Sequence, residues 1–126
     1  MFINYSNHPS ALWSEAQRNA ALQYGEIHDI VFPNVPPSSD DRELDRLAER
    51  EAEKLLRLHP TAVMCQGEMT LTYRLVQILT DWQIPVLAAC SERISEEMIN
   101  PDGSTSRTSV FVFRHFRHYR TPDVAE

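Results

Sequence analysis

The hydrophobic positions switch repeatedly between a strand-like run and a helical period. Phe2-Ile3-Asn4-Tyr5-Ser6 reads as a short strand, and Asn7-His8-Pro9-Ser10 breaks it. Over about 11–24, Leu12, Ala16, Ala20 and Tyr24 recur at helical spacing, and Gly25 stands where a helix ends. Ile27 to Phe32 is a second strand, closed by Pro33-Asn34-Val35-Pro36-Pro37, a stretch too poor in backbone donors for a sheet interior. Asp40 with Glu43 three residues on makes a capping-box-like start. Leu44, Leu47, Ala48, Ala52, Leu55 and Leu56 then hold the 3.6-residue period towards Pro60, opposite a charge-rich face expected to be solvated. Residues 61–65 form a third strand, and Leu71, Leu75, Ile78, Leu79 and Trp82 mark a further helix. Ile84 to Cys90 is an unbroken apolar run, the mark of a parallel strand covered on both faces, and Ser91-Glu92-Arg93 ends it. Beyond it, 94–99 and 107–117 flank Pro101-Asp102-Gly103 as an antiparallel hairpin.

This order predicts an α/β, Rossmann-like three-layer fold. Its sheet is mostly parallel, of roughly five to six strands, with a C-terminal antiparallel hairpin or edge strand. The 126 residues suit one domain, expected over 1–120, with 121–126 as a flexible tail.

Composition narrows the chemistry. Only three glycines occur, Gly25, Gly67 and Gly103, which excludes both a Walker A loop and a G-x-G-x-x-G fingerprint. One lysine, Lys54, against eleven arginines makes a lysine nucleophile a weak option. The net charge of -6 argues against duplex nucleic acid as a partner, though not against one small anion. That total hides a partition: residues 1–106 carry -8, residues 107–120 carry +4, and the last six carry -2. The basic stretch interleaves Arg107, Arg114, Arg117 and Arg120 with Phe111, Phe113, Phe116 and Tyr119. It is either a nucleotide-facing or dimer-facing strand, or a charged edge that discourages aggregation. Cys65 and Cys90 end apolar runs without metal spacing and are expected to be reduced, with no metal or cofactor implied. No signal-like start and no membrane-length apolar run occurs, so the expectation is a cytoplasmic protein that meets no membrane.

In an open parallel sheet, ligands bind outside the carboxyl ends of the strands, near the reversal of strand order. Three segments qualify. Asn7, His8 and Ser10 offer an amide, a titratable imidazole and a hydroxyl before a helix, where Ser10 is alternatively an N-cap. Gln66, Gly67, Glu68 and Thr70 open the next helix. Gly67 admits a close backbone approach, and Glu68 either caps the helix or accepts from a sugar or base while Thr70 donates to phosphate. Ser91 and Arg93 follow the buried strand, and Arg93 is either a phosphate fork or a salt-bridge partner of Glu92, Glu96 or Glu68.

These same residues carry a family resemblance. Asn4-Tyr-Ser-Asn-His-Pro-Ser10 with Trp13, Gln66-Gly-Glu-Met-Thr-Leu-Thr72, Ala89-Cys-Ser-Glu-Arg93 and the terminal Phe-Arg-His-Phe-Arg resemble small CRISPR-associated proteins of the CARF (CRISPR-associated Rossmann fold) type. The resemblance implies a homodimer binding a cyclic oligoadenylate in type III CRISPR defence, and a possible metal-independent ring nuclease. In that role the ribose 2'-hydroxyl attacks, with His8, Glu68 and Arg93 as catalytic residues and Asn7, Ser10, Gln66, Gly67, Thr70 and Ser91 binding the ligand. Two other readings stay open: a small nucleotide or nucleoside hydrolase using Glu68 and His8, and a non-catalytic interaction protein docking through 107–120.

Overall fold

The computed structural model describes residues 1–120; the tail expected at 121–126 lies outside the described residues. The elements are β1 (Phe2–Ser6), a 3-10 turn (Ser10–Leu12), α1 (Glu15–Leu22), β2 (Ile27–Val31), α2 (Asp41–Arg57), β3 (Ala62–Gln66), α3 (Met69–Asp81), β4 (Val86–Ile99) and β5 (Thr105–His118). They build one five-stranded sheet of order β2-β1-β3-β4-β5. The first four strands run parallel and β5 pairs antiparallel to β4, so the fold is α/β and Rossmann-like as the pattern implies.

Alternation along the strands sorts the core into two layers. Ile3, Tyr5, Val63, Cys65 and Val86 pack beneath α2 and α3, against Leu44, Leu55, Leu71 and Leu75. Phe2, Ala62, Met64 and Leu87 face the other way, towards Trp13 and Ala21. The Asp40 carboxylate accepts from the Glu43 amide at 2.8 Å and so starts α2 where the capping pattern places it. Glu51 departs from the solvated face expected there: it turns inward, and the Tyr5 hydroxyl donates to it at 2.9 Å.

Three local expectations are corrected. The helix expected over 11–24 is split, because Ser14 is the N-cap, accepting from the Gln17 amide at 3.2 Å. The inner face therefore carries Trp13 and Ala21, and Leu12 is 81% exposed. Trp82, placed in the α3 core stripe by spacing, lies just past the helix end and is exposed, since Leu79 completes the buried stripe. The third correction matters most: β4 does not stop at Ser91-Glu92-Arg93. It continues to Ile99, because β5 supplies a full antiparallel partner as far as Ile99–Thr105. β3 pairs with β4 only at Val63–Val86 and Met64–Leu87, so the outer part of β4 and β5 is a two-stranded arm. Solvent on both its faces is why it tolerates polar residues that a covered parallel strand would exclude.

Gly25 has φ +132°, and a Cβ there would press on the Met1 backbone at 3.2 Å, so glycine is needed to enter β2.

Candidate functional site

Strand order reverses between β1 and β3: the chain leaves β1 through α1 towards β2, and leaves β3 through α3 towards β4. The crevice expected for ligands lies at the carboxyl ends of these two strands. On the α1 side it widens into a cleft of about 740 Å³. Its floor is Ser6, Met64, Gln66 and Ala89; Trp13 and Ser14 form one wall, and Phe111 and Phe113 of the arm form the other. His8 and Ser91 reach it as well.

The aromatic wall follows from an irregularity. Register between β4 and β5 shifts between Cys90 and Ser91, so that Cys90 pairs with His115 and Ser91 with Phe113. The extra residue, Arg114, re-phases β5, and a β-bulge of this kind re-aims side chains. Phe113 consequently meets Phe116 with ring centroids 5.0 Å apart, and Phe116 meets Phe2 at 5.2 Å, a stack running from core to cleft. Arg114, displaced from that face, pairs with Glu92 at 2.6 Å.

Gln66 stands where the sheet parts. Beyond Leu87 the β3–β4 ladder is absent, and the Ala89 amide donates instead to Gln66 Oε1 at 2.9 Å. Gln66 Oε1 is thereby fixed to the β4 backbone, and its amide nitrogen makes no bond among the described residues. On the opposite side of the parting, the Tyr119 hydroxyl donates to the Cys65 carbonyl at 2.6 Å.

The structure divides the expected site residues into groups. His8, Gln66 and Ser91 share the aromatic-walled cleft. Arg93 is two residues further along the arm and lies directly opposite Phe111, hence on the same face of the ribbon. Its guanidinium donates to Ser109 Oγ at 3.1 and 3.2 Å, and it forms no pair with Glu92, Glu96 or Glu68. Asn7 and Glu68 line a separate, smaller hollow of about 310 Å³ against Phe32 and Pro33. His8 and Glu68, the pair required for a nucleoside hydrolase, therefore do not line one cleft.

The group after β3 is occupied with itself. The Glu68 carboxylate accepts from the Thr70 amide at 3.0 Å, the Leu71 amide at 2.8 Å and the Thr70 hydroxyl at 2.7 Å. Those bonds, the Thr70 hydroxyl first, hold its carboxyl below the ordinary glutamate range, which makes it a poor proton acceptor. Thr70 has no hydroxyl proton left for phosphate. Gly67 likewise serves packing: a Cβ at that position would run into the Phe32 ring. Ser10 is not a helix cap; its amide donates to Asp29 Oδ2 at 3.0 Å.

Two further residues matter here, and they lie mid-strand, where the strand-end rule does not look. Asn4 and Asp29 pair across the β1–β2 ladder, Asn4 Nδ2 donating to Asp29 Oδ1 at 3.0 Å. The available signal is a polar residue in the middle of each strand, Asn4 between Ile3 and Tyr5 and Asp29 beside His28. Burial raises and the bonds from Asn4 and Ser10 lower the Asp29 carboxyl, and the bonds win, leaving it below its ordinary value.

Both cysteines are free thiols, and burial pushes Cys65 up to about 12, so it is no nucleophile at neutral pH. Among the described residues no three His, Cys, Asp or Glu side chains converge as a metal site, and no helix is long and apolar enough to cross a membrane.

Residues 1–117, which include every residue lining the cleft, match one family model, described as Uncharacterized protein MJ1673 family. The chain belongs to that family. No curated protein and no solved structure matches it. For this MJ1673-family chain the match spans β1 through to Arg117 in β5, so the arm and its bulge lie inside the family region.

Proposed function

We propose that the chain binds a cyclic oligoadenylate in the aromatic-walled cleft and acts within type III CRISPR defence. The observation that carries this reading is the cleft's composition at the switch point: Trp13, Phe111 and Phe113 around a floor in which the Gln66 amide and Ser6 hydroxyl stand beside Met64 and Ala89, with Arg93 at the rim. Aromatic faces stack bases, each contact contributing about 1–3 kcal/mol, while an arginine fork suits phosphate. The segments carrying the resemblance to CARF-type proteins, 4–10, 66–72 and 89–93, all border this cleft or its rim. A ring with approximate two-fold symmetry suits a homodimer, with the cleft of each protomer facing the shared ligand.

The same arrangement supports slow ring opening. The ribose 2'-oxygen bonds to the adjacent phosphorus and the bond from phosphorus to the next 5'-oxygen breaks, leaving a 2',3'-cyclic phosphate. His8 takes the 2'-hydroxyl proton, the departing 5'-oxygen takes up a proton from solvent water, and Arg93 steadies charge on the phosphoryl oxygens once it leaves Ser109. Glu68 takes no part in this step; its carboxylate is engaged in capping α3.

Thermal-shift measurement with cyclic tri-, tetra- and hexa-adenylate tests binding, and chromatography of the mixture tests cleavage. Stabilisation by one ring size is expected, and the absence of stabilisation by all three would overturn the reading. The exposed arm favours a second reading, a docking module. Met98, Ile99, Val110 and Phe111 are 54–81% exposed on it, and capture of a protein partner lost in Arg114→Glu/Arg117→Glu but kept in His8→Ala would support that alternative.

A further inference from the structure

Asn4 is 1% exposed in a strand whose other central residues are apolar. A buried amide is costly unless every bond it can make is made. This one is engaged throughout. Its nitrogen donates to Asp29 Oδ1 and, at 2.8 Å, to the His8 carbonyl; its oxygen accepts from Ser6 Oγ at 2.6 Å. Ser6 Oγ in turn accepts from the His8 amide at 3.2 Å, and Asp29 Oδ2 holds the Ser10 amide. The bonds that leave this hub end on the turn after β1, and His8 is held by both its N–H and its C=O.

We propose that Asn4 and Asp29 are positioning residues that set the His8 imidazole at the mouth of the cleft. The inference rests on the reading above, in which His8 meets the bound nucleotide. Its geometry comes from register. Asn4 and Asp29 are ladder partners in parallel strands and so project from one face, the face on which the cleft opens. The side chains of Asn7, His8 and Pro9 do not anchor it: they are exposed and make no hydrogen bond among the described residues. Without the hub, the turn would have to be ordered each time ligand bound, and affinity would fall by the cost of that ordering.

The test uses the full chain. Asp29 lies on the exposed edge strand, so Asp29→Ala is expected to fold; Asn4→Ala, in the core, is the companion variant. Hydrogen exchange read by NMR on the free protein is expected to rise about tenfold or more at the His8 and Ser10 amides in both variants, with Phe2 and Val63 still protected. The His8 ring nitrogen shifts should move with it. Cyclic tetra-adenylate should bind about tenfold more weakly, and Asp29→Asn, which keeps one acceptor oxygen, should recover part of both effects. Unchanged exchange and ring shifts at His8, exchange rising evenly along β1, or a loosened turn with undiminished affinity would each overturn the proposal. A wild-type chain that binds none of the rings would instead overturn the function proposed for the cleft, while exchange and ring shifts still decide whether the pair holds His8.

Discussion

The turns after β1 and β3 flank the same crevice, yet they use their polar residues in opposite ways. After β3, the polar groups satisfy one another: Glu68 caps α3 with its own carboxylate, Thr70 bonds back to Glu68, and Gly67 makes room for the Phe32 ring. After β1, the backbone is secured from below by Asn4, Ser6 and Asp29, leaving the His8 side chain to the cleft. A turn that satisfies itself has little left to offer a ligand. One that is held by its scaffold keeps its side chains available, which is how preorganised sites are built.

Substitutions should separate the two turns cleanly. The largest effect is expected at Gly67→Ala, where the added methyl must displace Phe32. Such overpacking costs about 1–3 kcal/mol, read as a lower urea midpoint. Loss of ligand without loss of stability would show that Gly67 faces ligand instead. Next comes His8→Ala, expected to leave the urea midpoint in place while weakening ring binding about tenfold, or about 1.4 kcal/mol. Equal binding by variant and parent would remove His8 from the site. Glu68→Ala should lower stability by about 0.5–2 kcal/mol through loss of the α3 cap, with binding unaltered.

Acid offers a subtler contrast. Asp29 and Glu68 both have folded-state values below their ordinary ones, so each contributes stability that is complete above the ordinary carboxylate range. That contribution is lost as pH falls through the lowered folded-state values, below about pH 4. Protection at His8 and Ser10, taken relative to the intrinsic exchange rate at each pH, should therefore hold at neutral pH and fall only on that acid side. In the Asp29→Ala variant the corresponding step should be missing. The smallest effect is expected on the arm: the Arg114–Glu92 pair is half exposed on both sides, and Arg114→Ala should change stability by no more than about 1 kcal/mol.

Much of the frame could be read from local pattern. The strand run at 2–6, the Asp40 start of α2 and the Pro101-Asp102-Gly103 turn stand where periodicity and turn chemistry put them, and the second strand, expected over 27–32, ends one residue earlier at Val31. A sharper reading of the first helix was available too, since Ser14 followed by Gln17 is itself a capping pattern. The candidate site was only partly accessible. The strand-end rule picks out His8, Gln66 and Ser91, and they do converge. The same rule picks out Glu68 and Thr70, but the bonds from the Thr70 and Leu71 amides distinguish a capping carboxylate from a ligand-binding one, and neither is visible in a string of letters.

What the sequence determined by itself is the succession of elements and the layered α/β class, because periods of two and of 3.6 residues and the capping residues are local properties. Three things waited for the tertiary structure. The arm exists because β5 gives β4 a partner beyond the end of β3. The aromatic wall exists because one bulged residue turns Phe113 onto the face of Phe116. The hub beneath His8 exists because parallel pairing sets Asn4 beside Asp29, residues 25 positions apart in the chain. Each depends on register between strands, and register is decided by the packing of the whole sheet, not by any one strand.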